Sequence, residues 1–326
     1  MSLLLLDDEK AAIDKSKLRT WPRHGMSIAG ILVSSAANIR ETVKRFADCG
    51  VQTTRVNLLS ALWPQTDTLP FTRLSDGRWD LTQWNPRYFD RLADIGYQMN
   101  AAAIQVQWTN YELYSCSDRK PGPQQNGTPW RNNVNGVYWP SDDSLFQYLP
   151  DAWSKEDWFP QVTPYLGLDV NTLEIGNEFP EKSLHERVAA CFPDGALIQV
   201  NRNEDTPGQY ANMKIGTNYD VIAFHGNKLK QVSDLNRVYP REPTYTTFNE
   251  FFDHCRHDPN RIIFSSDGAR VSTDPVNPYD WPRLRAFFRE VEQIRKCSIE
   301  HQSRSKLSPF PNHEHIEADW FASVIR

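Results

Sequence analysis

The feature that most constrains the fold is an alternation carried along the chain, in which short apolar, β-branched runs are each followed by an amphipathic stretch. The runs are Ser27–Val33, Val51–Leu58, Met99–Trp108, Val170–Asn177, Ala196–Asn201, Tyr219–His225, Arg261–Asp267 and Cys297–Ser303. Between them the pattern predicts helices over Ala37–Asp48, stopped by Gly50, and over Pro86–Ile95, closed by Gly96. Further helical stretches are expected within Ser144–Leu166, from Glu181, around Thr247–His254, over Pro282–Arg295 and over Ile316–Ile325. Eight strand-like runs with helices between them predict an α/β fold of the (β/α)₈ TIM-barrel type. It is read as a single domain over residues 1–326, with long βα loops and an N-terminal extension of about residues 1–22. An open doubly wound sheet is the alternative, but no Gly-rich phosphate loop opens any of the helices.

Composition narrows the partners. A formal net charge of −5 argues against general nucleic-acid binding, which needs a basic surface, and nothing favours an anionic membrane. The five cysteines are far apart and form no CxxC pair, so they read as reduced thiols and not as a disulfide frame or zinc site. Four leucines at the amino terminus are followed at once by acids, which does not make a signal sequence, and no run is long enough to cross a membrane. The expectation is therefore a cytoplasmic protein. Eleven tryptophans exceed what a core of this size needs, which places some of them at a surface or groove. The segment Thr109–Asp142 breaks the alternation with many Pro and Gly residues interleaved with Trp130, Tyr138 and Trp139, and a loop of that length suggests function.

In a parallel barrel the chemistry sits at the carboxyl ends of the strands. Taken in order, those ends offer Ser34 and Ser35, Arg55 and Asn57, Gln107 and Trp108, and Asn177 and Glu178. The later strands add Asn201 and Asn203, His225, Asp267, and His301 and Gln302. Two carboxylates, a guanidinium, an imidazole and several amides would converge. His254 and His257 flank Cys255 beside Asp253, but no second ligand pair stands at metal-site spacing, so this group reads as surface.

The segment Leu173-Glu-Ile-Gly-Asn-Glu178, ending the fourth run, resembles the signature of the clan A glycoside hydrolases, retaining enzymes built on (β/α)₈ barrels. The resemblance implies that Asn177 donates to the sugar's 2-hydroxyl and that Glu178 is the general acid/base. Glycosidic cleavage passes through an oxocarbenium-like state and needs one protonated and one ionised carboxyl on opposite sides of the bond. The alternative reading makes Glu178 a first-turn acid of the next helix.

Thr53-Thr-Arg-Val-Asn57 resembles the clan's second strand, where an Arg holds the nucleophile's carboxylate ionised; the alternative for Arg55 is a structural ion pair, for instance with Glu174. Ile263-Phe-Ser-Ser-Asp-Gly-Ala269 resembles the seventh strand, with Asp267 where the clan has Glu. A side chain one methylene shorter withdraws the carboxylate by roughly 1–1.5 Å. The resemblance makes Asp267 the nucleophile; an Asp-Gly turn is the other reading. His225 matches loosely a residue that hydrogen-bonds near the nucleophile.

Trp108, Trp63, Trp139 and Trp281 are read as flat platforms for the apolar face of a sugar, with Gln107 and His225 as further substrate contacts. The expected activity is hydrolysis of a β-linked glycan, on an oligo- or polysaccharide, with no metal and no organic cofactor. A non-catalytic carbohydrate-binding barrel is the alternative, motivated by Asp267. A metal-dependent barrel enzyme is disfavoured by the scarcity of His and acids at the strand ends.

Overall fold

The computed structural model describes residues 24–27, 31–33, 36–58, 69–112, 129, 132–135, 158–177, 197–202, 221–225, 246, 250, 261–265 and 297–302. In chain order the strands are β1 (His24–Ser27), β2 (Thr53–Asn57), β3 (Phe71–Arg73), β4 (Trp79–Trp84) and β5 (Gln105–Glu112). They continue with β6 (Thr172–Asn177), β7 (Leu197–Arg202), β8 (Val221–His225), β9 (Arg261–Ser265) and β10 (Cys297–Gln302). The described helices are α1 (Ala36–Asp48), α2 (Pro86–Ala101) and the single turn α3 (Phe159–Val162). All strands except β3 and β4 pair in parallel, each with the next in sequence, and β10 returns to β1, so the sheet is a closed barrel of eight. β3 and β4 form a separate antiparallel hairpin within the connection from β2 to α2.

The register identifies the kind of barrel. Arg55 pairs with Gln107, Gln107 with Thr172 and Thr172 with Leu197. Continuing with the offsets of β8, β9, β10 and β1 returns to β2 eight residues short of Arg55. Eight strands with a shear of eight is the closure of a (β/α)₈ barrel. Because that shear is spread over eight strands, residues at one height advance by one position per strand. Interior positions at one height therefore come from every second strand. One such layer is Arg55, Glu174, Ala223 and Glu300. Below it lie Gly25, Gln107, Gln199 and Ile263. Above it lie Ser27, Thr109, Asn201 and Ser265, and then Asn57, Gly176, His225 and Gln302. Side-chain bonds agree with this stacking: Gln107 Nε2 donates to Thr53 Oγ1 at 2.8 Å, and the Thr109 hydroxyl donates to Glu174 from the layer above it.

Outside the barrel, α2 packs its buried face, including Phe89, Leu92, Ile95 and Met99, toward β5 and the turn at 163–165. Its start follows local rules: the Asn85 side chain accepts from Arg87 N–H, and Pro86 opens the first turn. A buried amide cluster pins its far end. Asn171 Oδ1 accepts from Asn100 Nδ2 at 2.9 Å and from Val106 N–H at 2.8 Å, while Asn171 Nδ2 donates to Asn100 Oδ1 and Leu166 O.

Four sequence expectations are corrected. The first strand lies at His24–Ser27, and Ile31–Val33 is a 3₁₀ turn. Ile31 and Leu32 are buried there, and Leu32 O accepts from Arg91 Nη1 of α2 at 2.7 Å. A short apolar run satisfies its burial as cover for the barrel as well as it would in a strand. The second helix does not close at Gly96 but runs to Ala101. Gly96 lies in the helix interior because the Trp108 ring packs against it, where a β-carbon would meet Cζ2 at 3.3 Å. The third strand starts at Gln105 and extends to Glu112, so Met99 belongs to the helix. The loop after the second strand contains the β3–β4 hairpin, which alternation of short polar and aromatic residues did not announce.

Candidate active site

The interior of β2, β5 and β6 is polar and tightly enclosed. Thr53, Arg55 and Asn57 alternate with Thr54, Val56 and Leu58, and all six are buried. That alternation directs Arg55 into the barrel, where an unpaired cation would be costly. Its Nη1 lies 3.9 Å from Glu174 Oε1, both side chains being almost wholly enclosed. The other oxygen of Glu174 accepts the Thr109 hydroxyl. The ion pair that competed with the catalytic role of Arg55 is thus present.

The eight barrel strands all run in one direction, so Asn57, Asn177, His225 and Ser265 end at the same mouth of the barrel. Asn177 is the last residue of β6 and pairs with Glu112, while His225 ends β8 beside Ser265 of β9. Glu178, Asp267, Trp63, Trp130, Trp139 and Trp281 lie outside the described residues, as do Ser34, Ser35 and Asn203.

Two proposed sugar contacts are corrected. Trp108 is fully buried on the outer face of β5, against Gly96 of α2, and its indole N–H donates to Leu166 O at 2.8 Å. It joins sheet to helix and offers no face to a ligand. Gln107 is fully buried two layers below the level of Thr109 and binds Thr53, inside the packed lumen. The third barrel strand continues four residues beyond Trp108, so neither residue stands at the mouth. Its true end carries Tyr111 and Glu112. Glu300 occupies the same register layer as Arg55 and Glu174, at a position marked in the sequence by the period-2 pattern Ser298, Glu300, Gln302.

The loops after β2 and β5 are joined on the mouth side. Trp79 of β4 forms a parallel bridge with Asn133, with Trp79 N–H donating to Asn132 O and Val134 N–H to Trp79 O. Asn135 adds side-chain bonds to Leu81 N–H and Asp80. The hydroxyl of Thr82, then its N–H, then Asn135 hold the Asp80 carboxyl below the usual carboxylate range. Within the hairpin, Trp84 stacks on Phe71 at 5.7 Å and lies 6.2 Å from Trp158, whose indole N–H donates to Asn110 of β5 at 2.7 Å. Tyr88 is buried with its hydroxyl donating to Leu58 O, and burial pushes it well above the ordinary tyrosine range. Among the described residues, no group of three His, Cys, Asp or Glu could hold a metal ion, and no helix is long and apolar enough to cross a membrane.

Several solved structures that share this fold are described as glycoside hydrolases. An exo-β-1,4-mannosidase from Opitutaceae bacterium strain TAV5 superposes with a TM-score of 0.53 at 12% identity, over 98% of this chain and 62% of its own. A GH5_18 protein from Streptomyces cattleya, in complex with GlcNAc, gives 0.52 at 13% identity, over 94% of this chain and 80% of its own. A glycoside hydrolase family 5 structure from Bacteroides vulgatus gives 0.52 at 12% identity, over 86% and 59%. The chain therefore spans less than two thirds of the length of two of these three proteins. No protein-family model and no curated protein sequence matches it. At these identities the likeness is one of fold.

Proposed function

We propose that this chain is a glycoside hydrolase that cleaves a β-linked glycan or glycoside with two carboxyl groups. The observation that carries the reading is the pairing of a closed ring of eight parallel strands with the Asn–Glu sequence at its fourth strand: β6 ends at Asn177, directly before Glu178. The seventh strand ends at Ser265, two residues before Asp267, at the same mouth. The glycosidase identity of the fold neighbours supports the same conclusion. A helix following each remaining strand, in one domain with an extension before His24, completes the barrel in this proposal, since parallel neighbours need a crossover on the outside.

In the mechanism, Glu178 protonates the glycosidic oxygen as the bond to the anomeric carbon breaks. Asp267 attacks that carbon from the opposite face, and Glu178 then deprotonates the water that releases the sugar, which retains configuration. Asn177 donates to the 2-hydroxyl, a bond that strengthens as positive charge develops on the ring. His225 and the aromatic residues Trp63, Trp139 and Trp281 contribute substrate contacts at the mouth. Retention needs carboxyl groups about 5–5.5 Å apart, and inversion about 6.5–9.5 Å. The shorter Asp267 side chain favours the second reading, a carbohydrate-binding barrel without turnover, only if the strand end does not compensate.

The test is a panel of aryl β-glycosides and β-1,4-linked manno-oligosaccharides, with product anomers followed by NMR. Turnover should fall by roughly 10²–10⁴-fold in Glu178→Gln on substrates with poor leaving groups. Undiminished turnover in Asp267→Asn would remove that residue from the mechanism. Binding without turnover on every substrate establishes the second reading.

A further inference from the structure

The β3–β4 hairpin and residues 132–135 take no part in the proposed two-carboxyl chemistry, yet they are fastened firmly to each other. Trp79 N–H donates to Asn132 O at 2.8 Å, and Val134 N–H donates to Trp79 O at 2.9 Å. Asn132 Nδ2 donates to Gly77 O at 3.2 Å, and Asn135 Oδ1 accepts from Leu81 N–H at 2.7 Å. Trp79 is fully buried at the join, with the Arg73 guanidinium 5.6 Å from its ring centroid. Both oxygens of Asp80 are engaged inside the unit. One accepts from Thr82 N–H, the Thr82 hydroxyl and Asn135 Nδ2, and the other accepts from Gln83 Nε2.

The order of strands in the ring says where this unit belongs. It runs β1, β2, β5, β6, β7, β8, β9, β10, so the proposed acid follows the fourth strand and its partner the seventh. The two carboxyls must face each other across the scissile bond. A glycan held between them therefore crosses the line joining those two strand ends. It leaves the mouth on one side over the fifth and sixth strands, and on the other over the arc of the eighth, first, second and third. The fastened unit belongs to the connections that follow the second and third strands, within that wider arc.

We propose that the hairpin and residues 132–135 form a fixed wall in the wider arc, which stops a glycan on that side and makes the chain act on glycan ends and not at interior linkages. The inference rests on the glycosidase reading. A built-in clash excludes a longer ligand without weakening the binding of a short one. The Asp80 carboxyl, already bonded to its neighbours, stiffens the wall and does not serve as a further sugar subsite.

The test uses the full chain and the β-glycan of the panel that it cleaves best, from disaccharide to hexasaccharide and as polymer. The parent should release sugars from one end only, with kcat/KM levelling off at short length and polymer viscosity falling little as reducing ends appear. Val134→Pro with Asn135→Ala removes the N–H that donates to Trp79 O and the side-chain bonds to Leu81 and Asp80. That variant should gain about tenfold in kcat/KM on the hexasaccharide, stay within about twofold on the disaccharide, and begin to cut internally. An unchanged ratio between the two substrates overturns the wall. Should the variant fail to fold, the parent's own products decide: internal cuts with a steep loss of viscosity overturn it. A parent that cleaves no glycoside overturns the functional reading instead. The wall is then judged by calorimetry on the same oligosaccharides, where affinity should stop rising at short length; affinity that climbs with every added unit, or no binding at all, overturns it.

Discussion

Gly96→Ala sets two effects of similar size against each other. In the middle of a helix, alanine is favoured over glycine by about 0.8–1 kcal/mol. At this position the new methyl would sit 3.3 Å from Trp108 Cζ2 and 4.0 Å from Cη2. The indole has little room to withdraw: it is fully buried, and its N–H is tied to Leu166 O at 2.8 Å. Adding a methyl to a packed site costs about 1–3 kcal/mol. The steric term should therefore win, leaving Gly96→Ala about 1 kcal/mol less stable, a Tm loss of roughly 2 °C for a chain of this size.

Trp108→Phe removes the ring edge that the methyl meets, and Leu166 O keeps its bond from Asn171 Nδ2 at 2.7 Å. In that background Gly96→Ala should raise stability by about 0.8–1 kcal/mol, the helix term alone. Urea unfolding of the four proteins measures the sign reversal. If Gly96→Ala stabilises both backgrounds equally, the Trp108 ring does not rest on Gly96 and the seating of α2 on β5 is wrong.

Asn171→Ala removes the acceptor of the buried Val106 N–H and the amide partner of Asn100, so a loss of about 2–4 kcal/mol is expected in the same unfolding assay. Ala103 has φ 61°, a left-handed conformation reached just after α2; Ala103→Gly should raise stability by about 0.5–1 kcal/mol, measured as an increase in Tm. The depressed Asp80 carboxyl contributes above the ordinary aspartate range and loses its bonds as pH falls through its lowered value. The protection factor of the Val134 amide, its exchange relative to the intrinsic rate at each pH, should accordingly fall in Asp80→Ala at neutral pH, and in the parent only on acidification. Tyr88 should show no phenolate absorbance at 295 nm at a pH where exposed tyrosines are ionised, until the chain unfolds.

Much of the barrel was legible because its strands are short apolar runs set apart by turn residues. The fifth and eighth runs, Ala196–Asn201 and Cys297–Ser303, were the least distinctive, yet Leu197–Arg202 and Cys297–Gln302 are strands in the ring. Errors arose where local pattern and packing disagree. Gly96 reads as a helix stop, but its lack of a side chain serves the Trp108 ring. Ile31–Val33 reads as strand, but Ile31 and Leu32 are equally well buried from a 3₁₀ turn. At the candidate site, the Arg55 alternation and the Asn177–Glu178 strand end could be read directly. The layer joining Arg55, Glu174 and Glu300 could not, because it depends on shear, a property of the closed ring and not of any one segment.

That closure limits how the chain can change. A strand in an open sheet can gain a residue at an edge and slide. In this ring every strand is held by two neighbours, and the offsets must still add up to a whole circuit. One inserted residue below Arg55 in β2 would turn the guanidinium out among the helices and bring Val56 into the polar lumen. Sequence drift by insertion is thereby confined to the connections, and the two connections joined through Trp79 and Asn133 must accommodate it together.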